Sequence, residues 1–350
     1  MPQINKSALS GTLVGTAVGD ALGLPREGLS RGRQAKMFGP LISYNFFLGR
    51  GLVSDDTEHA CLTAAALLES RGEPEKFSRA LARRLRWWLA ALPAGIGLAT
   101  LRSLLKLWLG FSPRNSGVFS AGNGPAMRAP VIGVFCGADL LKMRELVSIS
   151  TRLTHSDPKA EYGAFAAALA ASMAARKVPG PVAPREYYEA LKSALGEDAA
   201  EFLVLAKNAA ESAAAEEPAA QFAEKLGLAA GVTGYIYHTV PVVLQVWLRR
   251  QADYGGGISE IIECGGDTDT TAAILGGIIG AGAGLAGIPE RWRRGICDWP
   301  WNAAYMNELA AALGAGGPVP RRLFFLVPVR NLAFMLIVLL HGFRRLLPPY

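Results

Sequence analysis

The chain has 350 residues, 51% of them hydrophobic and 19% charged, and 36 Lys and Arg against 29 Asp and Glu give a formal net charge of +7. That balance excludes a disordered or supercharged chain, which needs low apolar content and high charge. Four cysteines in such a length exclude a disulfide scaffold, and the dispersed basicity marks no specific nucleic-acid site.

In chain order, Ala8–Leu24 has the length of a signal-peptide apolar region. Only Lys6 precedes it, Asp20 interrupts it and four glycines dilute it, so it reads as a helix of the fold. Apolar residues recur at helical spacing over Glu58–Glu69, Phe77–Leu92, Ala160–Ala175, Ala199–Ala215, Val232–Arg249 and Thr271–Ala286. No long stretch alternates like a strand, and no Asn-Gly turn joins two apolar runs. The expected fold is all-α, with loops at Gly95–Gly97, Gly110–Gly124, Val178–Pro184, Gly255–Gly257 and Gly314–Pro320. Arg83, Arg84 and Arg86 beside Trp87 and Trp88 read as a solvated basic stripe backed by core aromatics.

Two of the helices carry glycine at every fourth position: Gly11, Gly15, Gly19 and Gly23 in one, Gly276, Gly280 and Gly284 in the other. Residues four apart share a helix face, so each presents a flat stripe for a close neighbour. The cysteines, Cys61, Cys136, Cys264 and Cys297, are too far apart for a CxxC site. They read as buried free thiols in a reducing cytoplasm.

Chemistry concentrates in two segments, Ser54-Asp55-Asp56-Thr57-Glu58 and Gly265-Gly266-Asp267-Thr268-Asp269-Thr270-Thr271. Each sets two carboxylates and flanking hydroxyls just before a helical run. An N-cap needs one such residue, and neighbouring acids repel unless a cation lies between them. An all-oxygen donor set suits Mg²⁺ or Mn²⁺, or Ca²⁺, rather than Zn²⁺ or Cu²⁺.

Five ordered elements carry a family resemblance. They are Gly19-Asp20-Ala21-Leu22-Gly23 followed by Glu27, then Ser54-Asp55-Asp56-Thr57, Gly122-Asn123-Gly124-Pro125-Ala126-Met127-Arg128, Thr154-His155-Ser156-Asp157-Pro158, and Gly265 to Thr271. From about Ala8 to Trp301 the sequence resembles the metal-dependent ADP-ribosylglycohydrolases. The resemblance implies a large orthogonal helical bundle holding two divalent cations, Mg²⁺ or Mn²⁺. Ser54, Asp55 and Asp56 match one ligand set; Asp267, Asp269 and Thr270 match the other, with Asp269 shared. Glu27, Asp55 and Asp56 are then the candidate catalytic residues, Glu27 as acid/base. Asn123 and Gly124 match a loop that contacts ADP-ribose, and His155 a residue near its ribose and diphosphate. Asp20 is open between lining the site and a structural cap or pair, with the structural reading favoured; Arg128 is left open between phosphate contact and buried partner.

The implied activity is hydrolysis of the bond between ADP-ribose and an acceptor. A non-catalytic ADP-ribose-binding protein, or a metal-dependent hydrolase of another glycosyl or phosphoryl compound, are the alternatives. The catalytic domain is expected over 1–316, followed by an apolar and basic extension over 317–350. In that extension Pro328, Arg330 and Asn331 separate Leu323–Val327 from Leu332–Leu340, and neither run approaches the roughly 20 residues of a membrane span. Pro328 is expected to break a continuous helix. A helix docked on the bundle is favoured over a basic interfacial membrane anchor or a partner-binding segment.

Overall fold

The computed structural model describes residues 5–349 apart from 42, 47, 177–179 and 323. Of the segments singled out above, Val178 and Pro179 of the Val178–Pro184 loop, Leu323 and Tyr350 lie outside the described residues. Among the described residues the fold is helical, with only isolated bridges between loops. This agrees with the all-α expectation.

Helix α1 (Lys6–Gly23) runs through a turn into α2 (Arg31–Phe38). Then α3 (Asp55–Ser70), α4 (Pro74–Ala90) and α5 (Leu98–Trp108) pack in succession. The long loop after α5 ends in α6 (Gly124–Met127), followed by α7 (Ala129–Cys136), α8 (Leu140–Arg152) and α9 (Pro158–Arg176). The next stretch holds α10 (Pro184–Leu195), α11 (Ala200–Ala214), α12 (Ala219–Lys225), α13 (Ile236–Arg249) and α14 (Tyr254–Glu263). Helix α15 (Thr268–Ala283) returns to lie against α1, and α16 (Glu290–Arg293), α17 (Ala303–Ala315) and α18 (Val327–Arg345) complete the order.

The centre is built from small residues. Helices α1, α9 and α15 are buried on nearly every side, so their apolar character runs all round instead of along one stripe. The two glycine stripes face each other across the α1–α15 contact. A Cβ on Gly11 would stand 2.0 Å from the Gly280 carbonyl oxygen, one on Gly15 2.2 Å from that of Gly276, and one on Gly19 2.0 Å from that of Ala272. Backbone therefore meets backbone along the axis of the bundle. Gly15→Ala is expected to cost at least about 2 kcal/mol through overpacking. By contrast Gly32→Ala, where an added Cβ meets nothing within 4 Å, is expected to be neutral or to gain up to about 1 kcal/mol. Equal denaturation midpoints for the two variants would contradict the stripe packing.

The C-terminal extension departs from expectation at Pro328. Pro328 does not interrupt a helix; it lies in the first turn of a continuous 19-residue one, where its missing N–H costs nothing. Among the described residues α18 is the one helix long and apolar enough, by length and composition, to cross a membrane. One side of it is nevertheless fixed to the bundle. Arg330, Asn331 and Phe334 point inward, Asn331 donating to the Ala91 carbonyl at 2.7 Å, and His341 Nε2 lies 2.8 Å from the Pro25 carbonyl oxygen.

Candidate active site

Both acidic segments become helix starts, and the fold brings the two starts together. Ser54 caps α3: its Oγ accepts from the Asp56 amide at 3.3 Å and donates to Asp56 Oδ2 at 3.1 Å. The same Oδ2 accepts from Thr270 Oγ1 of α15 at 3.2 Å, so Asp56 ties one segment to the other. The turn before α15 depends on glycine. Gly265 and Gly266 have φ of 78° and 82°, and a Cβ on Gly266 would sit 2.0 Å from the Val232 carbonyl oxygen. That turn is pinned between Leu29 and Val232 by backbone hydrogen bonds.

These starts open into a cavity of about 420 Å³, within the usual range for small-molecule sites. Ser54, Asp55, Asp267, Asp269 and Thr270 line it, as do Glu27, Asn123, Gly124 and His155. Asp56 is buried beneath them and does not line the cavity. Sequence reading thus selected residues that meet in space. It gave no role to Met127 of its third motif and missed Leu24, Ser120 and Thr100, and above all Phe334 and Val338 of α18, which form an apolar part of the wall. Nothing in the spacing of an apolar C-terminal run points to a polar pocket, so those last two carried no signal.

The Asn123 side of the cavity is held by polar contacts. Asn123 Nδ2 donates to Asp267 Oδ2 at 2.7 Å and to Thr239 Oγ1 at 3.0 Å. Its amide donates to the Gly234 carbonyl at 2.9 Å. Gly122 and Gly124 leave room for the His155 ring: a Cβ at either would approach it to 3.0 and 3.2 Å. Arg128 is not a phosphate ligand here. It is fully buried and donates to Ser150 and to Thr154 Oγ1, with His59 Nδ1 3.2 Å away. Thr154 Oγ1 in turn lies 2.9 Å from His155 Nδ1.

Burial and the Arg128 charge push the His155 imidazole down to about 3. It is therefore neutral at neutral pH, able to hydrogen-bond without adding charge. An NMR titration is expected to find its midpoint near that value, and a midpoint near the ordinary 6.5 or so would contradict it. Between the two values the unfolded chain takes up a proton that the fold refuses. This group therefore lowers stability as pH falls through that window.

Asp20 is structural, as read. Buried at the end of α1, its Oδ2 accepts from the Ser54 and Thr57 amides at 2.9 and 3.2 Å and from Thr57 Oγ1 at 2.5 Å. Burial lifts it to about 6 despite those donors. Glu58, one turn into α3, is lifted by burial to about 7, although Arg330 and the Trp88 indole oppose the shift. Arg330 reaches in from α18, donating to Glu58 Oε1 at 2.7 Å, to the Val53 carbonyl at 2.6 Å and to both oxygens of Asp298. Asp298 also accepts from the Val53 amide at 2.9 Å. The residue preceding Ser54 is therefore clamped on its N–H and its C=O.

The remaining acids are under electrostatic load. Desolvation, then neighbouring carboxylates, hold Asp55, Asp56 and Asp269 well above the usual carboxylate range. The buried oxygens Asp56 Oδ1 and Asp269 Oδ1 have no hydrogen-bond partner. Among the described residues no three Asp, Glu, His or Cys side chains already converge as a ligand group. The hydroxyls of Ser54 and Thr270 complete the oxygen set. Unsatisfied carboxylate oxygens, mutual repulsion and all-oxygen chemistry fit a hard divalent cation.

A helical bundle that delivers paired carboxylates from two helix starts into one open pocket has the build of a glycohydrolase. A family model described as ADP-ribosylglycohydrolase matches residues 1–319, and the chain belongs to that family. Its chemistry is hydrolysis of ADP-ribosyl compounds, and the family uses metal ions. The chain is 32% identical over 307 residues to an uncharacterized protein of Archaeoglobus fulgidus, covering 86% of this chain and 94% of that one. The ADP-ribosyl-[dinitrogen reductase] glycohydrolase of Rhodospirillum rubrum is 24% identical over 298 residues, 83% of this chain and 90% of its own. A solved ADP-ribosylglycohydrolase-related protein complex has a TM-score of 0.64 at 26% identity, covering 89% of this chain and 98% of its own. The family match ends before α18 begins.

Proposed function

We propose that this protein hydrolyses the glycosidic bond between ADP-ribose and an acceptor, with two divalent cations, Mg²⁺ or Mn²⁺, as cofactor. The observation that carries the reading is the meeting of the two acidic helix starts in one pocket, with Asp56 Oδ1 and Asp269 Oδ1 buried and unpartnered. Ser54, Asp55 and Asp56 would hold one cation, Asp267 and Thr270 the other, and Asp269 both. Bound there, the cations supply positive charge that orients ribose hydroxyls and offsets developing negative charge.

The protein's own groups do the rest. Asn123 fixes Asp267 and, with the Gly122–Gly124 backbone and the neutral His155, forms the polar side that takes the ribose and diphosphate. Phe334 and Val338 keep water from part of the cavity. Glu27 sits at the exposed mouth, its carboxyl raised by desolvation and by Asp267. A carboxyl so raised is suited to give a proton to the departing acceptor and to take one from the attacking water. Carboxylates near the anomeric carbon stabilise its oxocarbenium character.

The test is a panel of arginine-, serine- and nucleic-acid-linked ADP-ribose and O-acetyl-ADP-ribose, assayed with Mg²⁺, with Mn²⁺ and with EDTA. Release of ADP-ribose from at least one substrate, lost in EDTA and restored by added cation, is the expected result. Tight ADP-ribose binding without turnover on any of them would overturn the catalytic reading in favour of a binding protein.

A further inference from the structure

Helix α18 leaves a broad apolar face uncovered: Val327 and Phe334 pack inward and Val338 lines the cavity, but most of its apolar residues point away from the bundle. Its polar residues Arg330, Asn331 and His341 face the protein, engaged with Glu58, Asp298 and the carbonyls of Ala91 and Pro25. The apolar residues that face out form a row: Val329, Leu332, Leu336, Leu340 and Phe343 are 54–69% exposed, and Phe325 just before it is 73% exposed. A soluble helix buries the apolar side, and a contiguous apolar face of this extent marks an interaction surface. Trp87 of α4, 66% exposed, prolongs the face at one end, where it lines a groove with Phe325 and Pro328.

Charge identifies what covers it. Residues 309–350 contain no Asp or Glu, and arginines stand at both ends of α18, Arg321 and Arg322 before it and Arg344 and Arg345 at its close. Arg322 is paired with Glu308, and Arg345 is close enough to feel Glu27. Helix α2 stacks Phe38 on His341 beside the far end and contains no Asp or Glu; its Arg31 is paired with Glu224. A second copy of this chain would bring the same basic ends against themselves with no acid on α18 or α2 to pair them. An apolar face flanked by arginines matches a bilayer surface rich in anionic lipid.

We propose that α18 is an interfacial anchor that seats the protein on an anionic lipid surface, lying in the plane of the interface. The inward polar contacts decide against spanning: crossing the bilayer would strip Arg330 from Glu58 and Asp298 and leave three buried charges unpaired. Because Phe334 and Val338 of the same helix line the cavity, its mouth would open alongside the lipid.

The experiment is sedimentation of the full chain with vesicles of phosphatidylcholine alone and of phosphatidylcholine with phosphatidylglycerol. Binding is expected to be about tenfold stronger to the anionic vesicles and to weaken with added salt. The double variant Leu336→Glu, Leu340→Glu changes only outward-facing side chains. It is expected to keep its melting temperature and to lose vesicle binding. Three results would overturn the proposal: equal binding to both vesicle types, resistance to alkaline extraction as for a spanning helix, or no vesicle binding with a dimer that the double variant dissociates. None of these readouts depends on turnover, so failure here leaves the glycohydrolase reading untouched.

Discussion

Asp269→Asn is expected to lower release of ADP-ribose by about a thousandfold or more, the scale of losing a preorganised charge at the reacting centre. The same change is expected to stabilise the cation-free protein by about 1–3 kcal/mol, because it replaces a buried carboxylate whose Oδ1 lacks a partner. The two signs together separate a site residue from a merely structural one, since loss of structure would lower both quantities. Desolvation and the carboxylates of Glu27, Asp267 and Asp56 raise Asp269, so its charge is costly in the fold until a cation offsets it. Added Mg²⁺ or Mn²⁺ is therefore expected to raise the melting temperature of the unaltered chain and to leave the variant nearly unmoved. Single-turnover assays and calorimetry with and without EDTA measure both. An active variant, or one melting lower without cations, would remove Asp269 from the site.

Arg330→Ala is expected to cost about 3–5 kcal/mol, the largest stability loss of any single polar change here, because it strands Glu58 and Asp298 as buried unpaired acids. Glu58 and Asp298 are nearly inaccessible, and the Arg330 side chain is only 11% exposed. Arg330→Lys keeps the charge but cannot reach Glu58, Asp298 and the Val53 carbonyl at once, so an intermediate loss is expected. Turnover should fall further than stability alone explains, since Val53 immediately precedes Ser54. Chemical denaturation and steady-state rates on the folded fraction give the two numbers. A stability change below about 1 kcal/mol would mean that the pair is solvated and that α18 is not fastened there.

Much of this was legible in residue order. Helical periodicity and the absence of alternating runs predict the all-α fold, and the five motifs contain Glu27, Ser54, Asp55, Asn123, Gly124, His155, Asp267, Asp269 and Thr270 of the pocket lining. Glycine every fourth residue predicted two flat helix faces, but a stripe does not name its partner; that α1 and α15 meet stripe to stripe is a property of the assembled bundle. Asp56 follows Asp55 in the sequence, yet helical rotation buries it and turns its Oδ2 toward Ser54 and Thr270. Arg128 follows Asn123 and Gly124 in one motif, which leaves phosphate contact and buried partner both open; burial sends it to Thr154.

The C-terminal helix marks the boundary most clearly. Sequence spacing set two short apolar runs around Pro328, because a proline inside an apolar stretch normally ends a helix. Placed in the first turn it begins one, and only the bundle beneath decides which of its faces points inward. What the sequence determined by itself was whatever depends on neighbours along the chain: periodicity, capping residues, the chemistry of the donor atoms. Tertiary structure alone decided whatever depends on residues hundreds of positions apart. Arg330 clamping Val53, Phe334 and Val338 walling the pocket, and Thr270 meeting Asp56 are such cases. A local code specifies which way a segment folds; burial and charge pairing choose its companions, and those energies exist only once the segments have met.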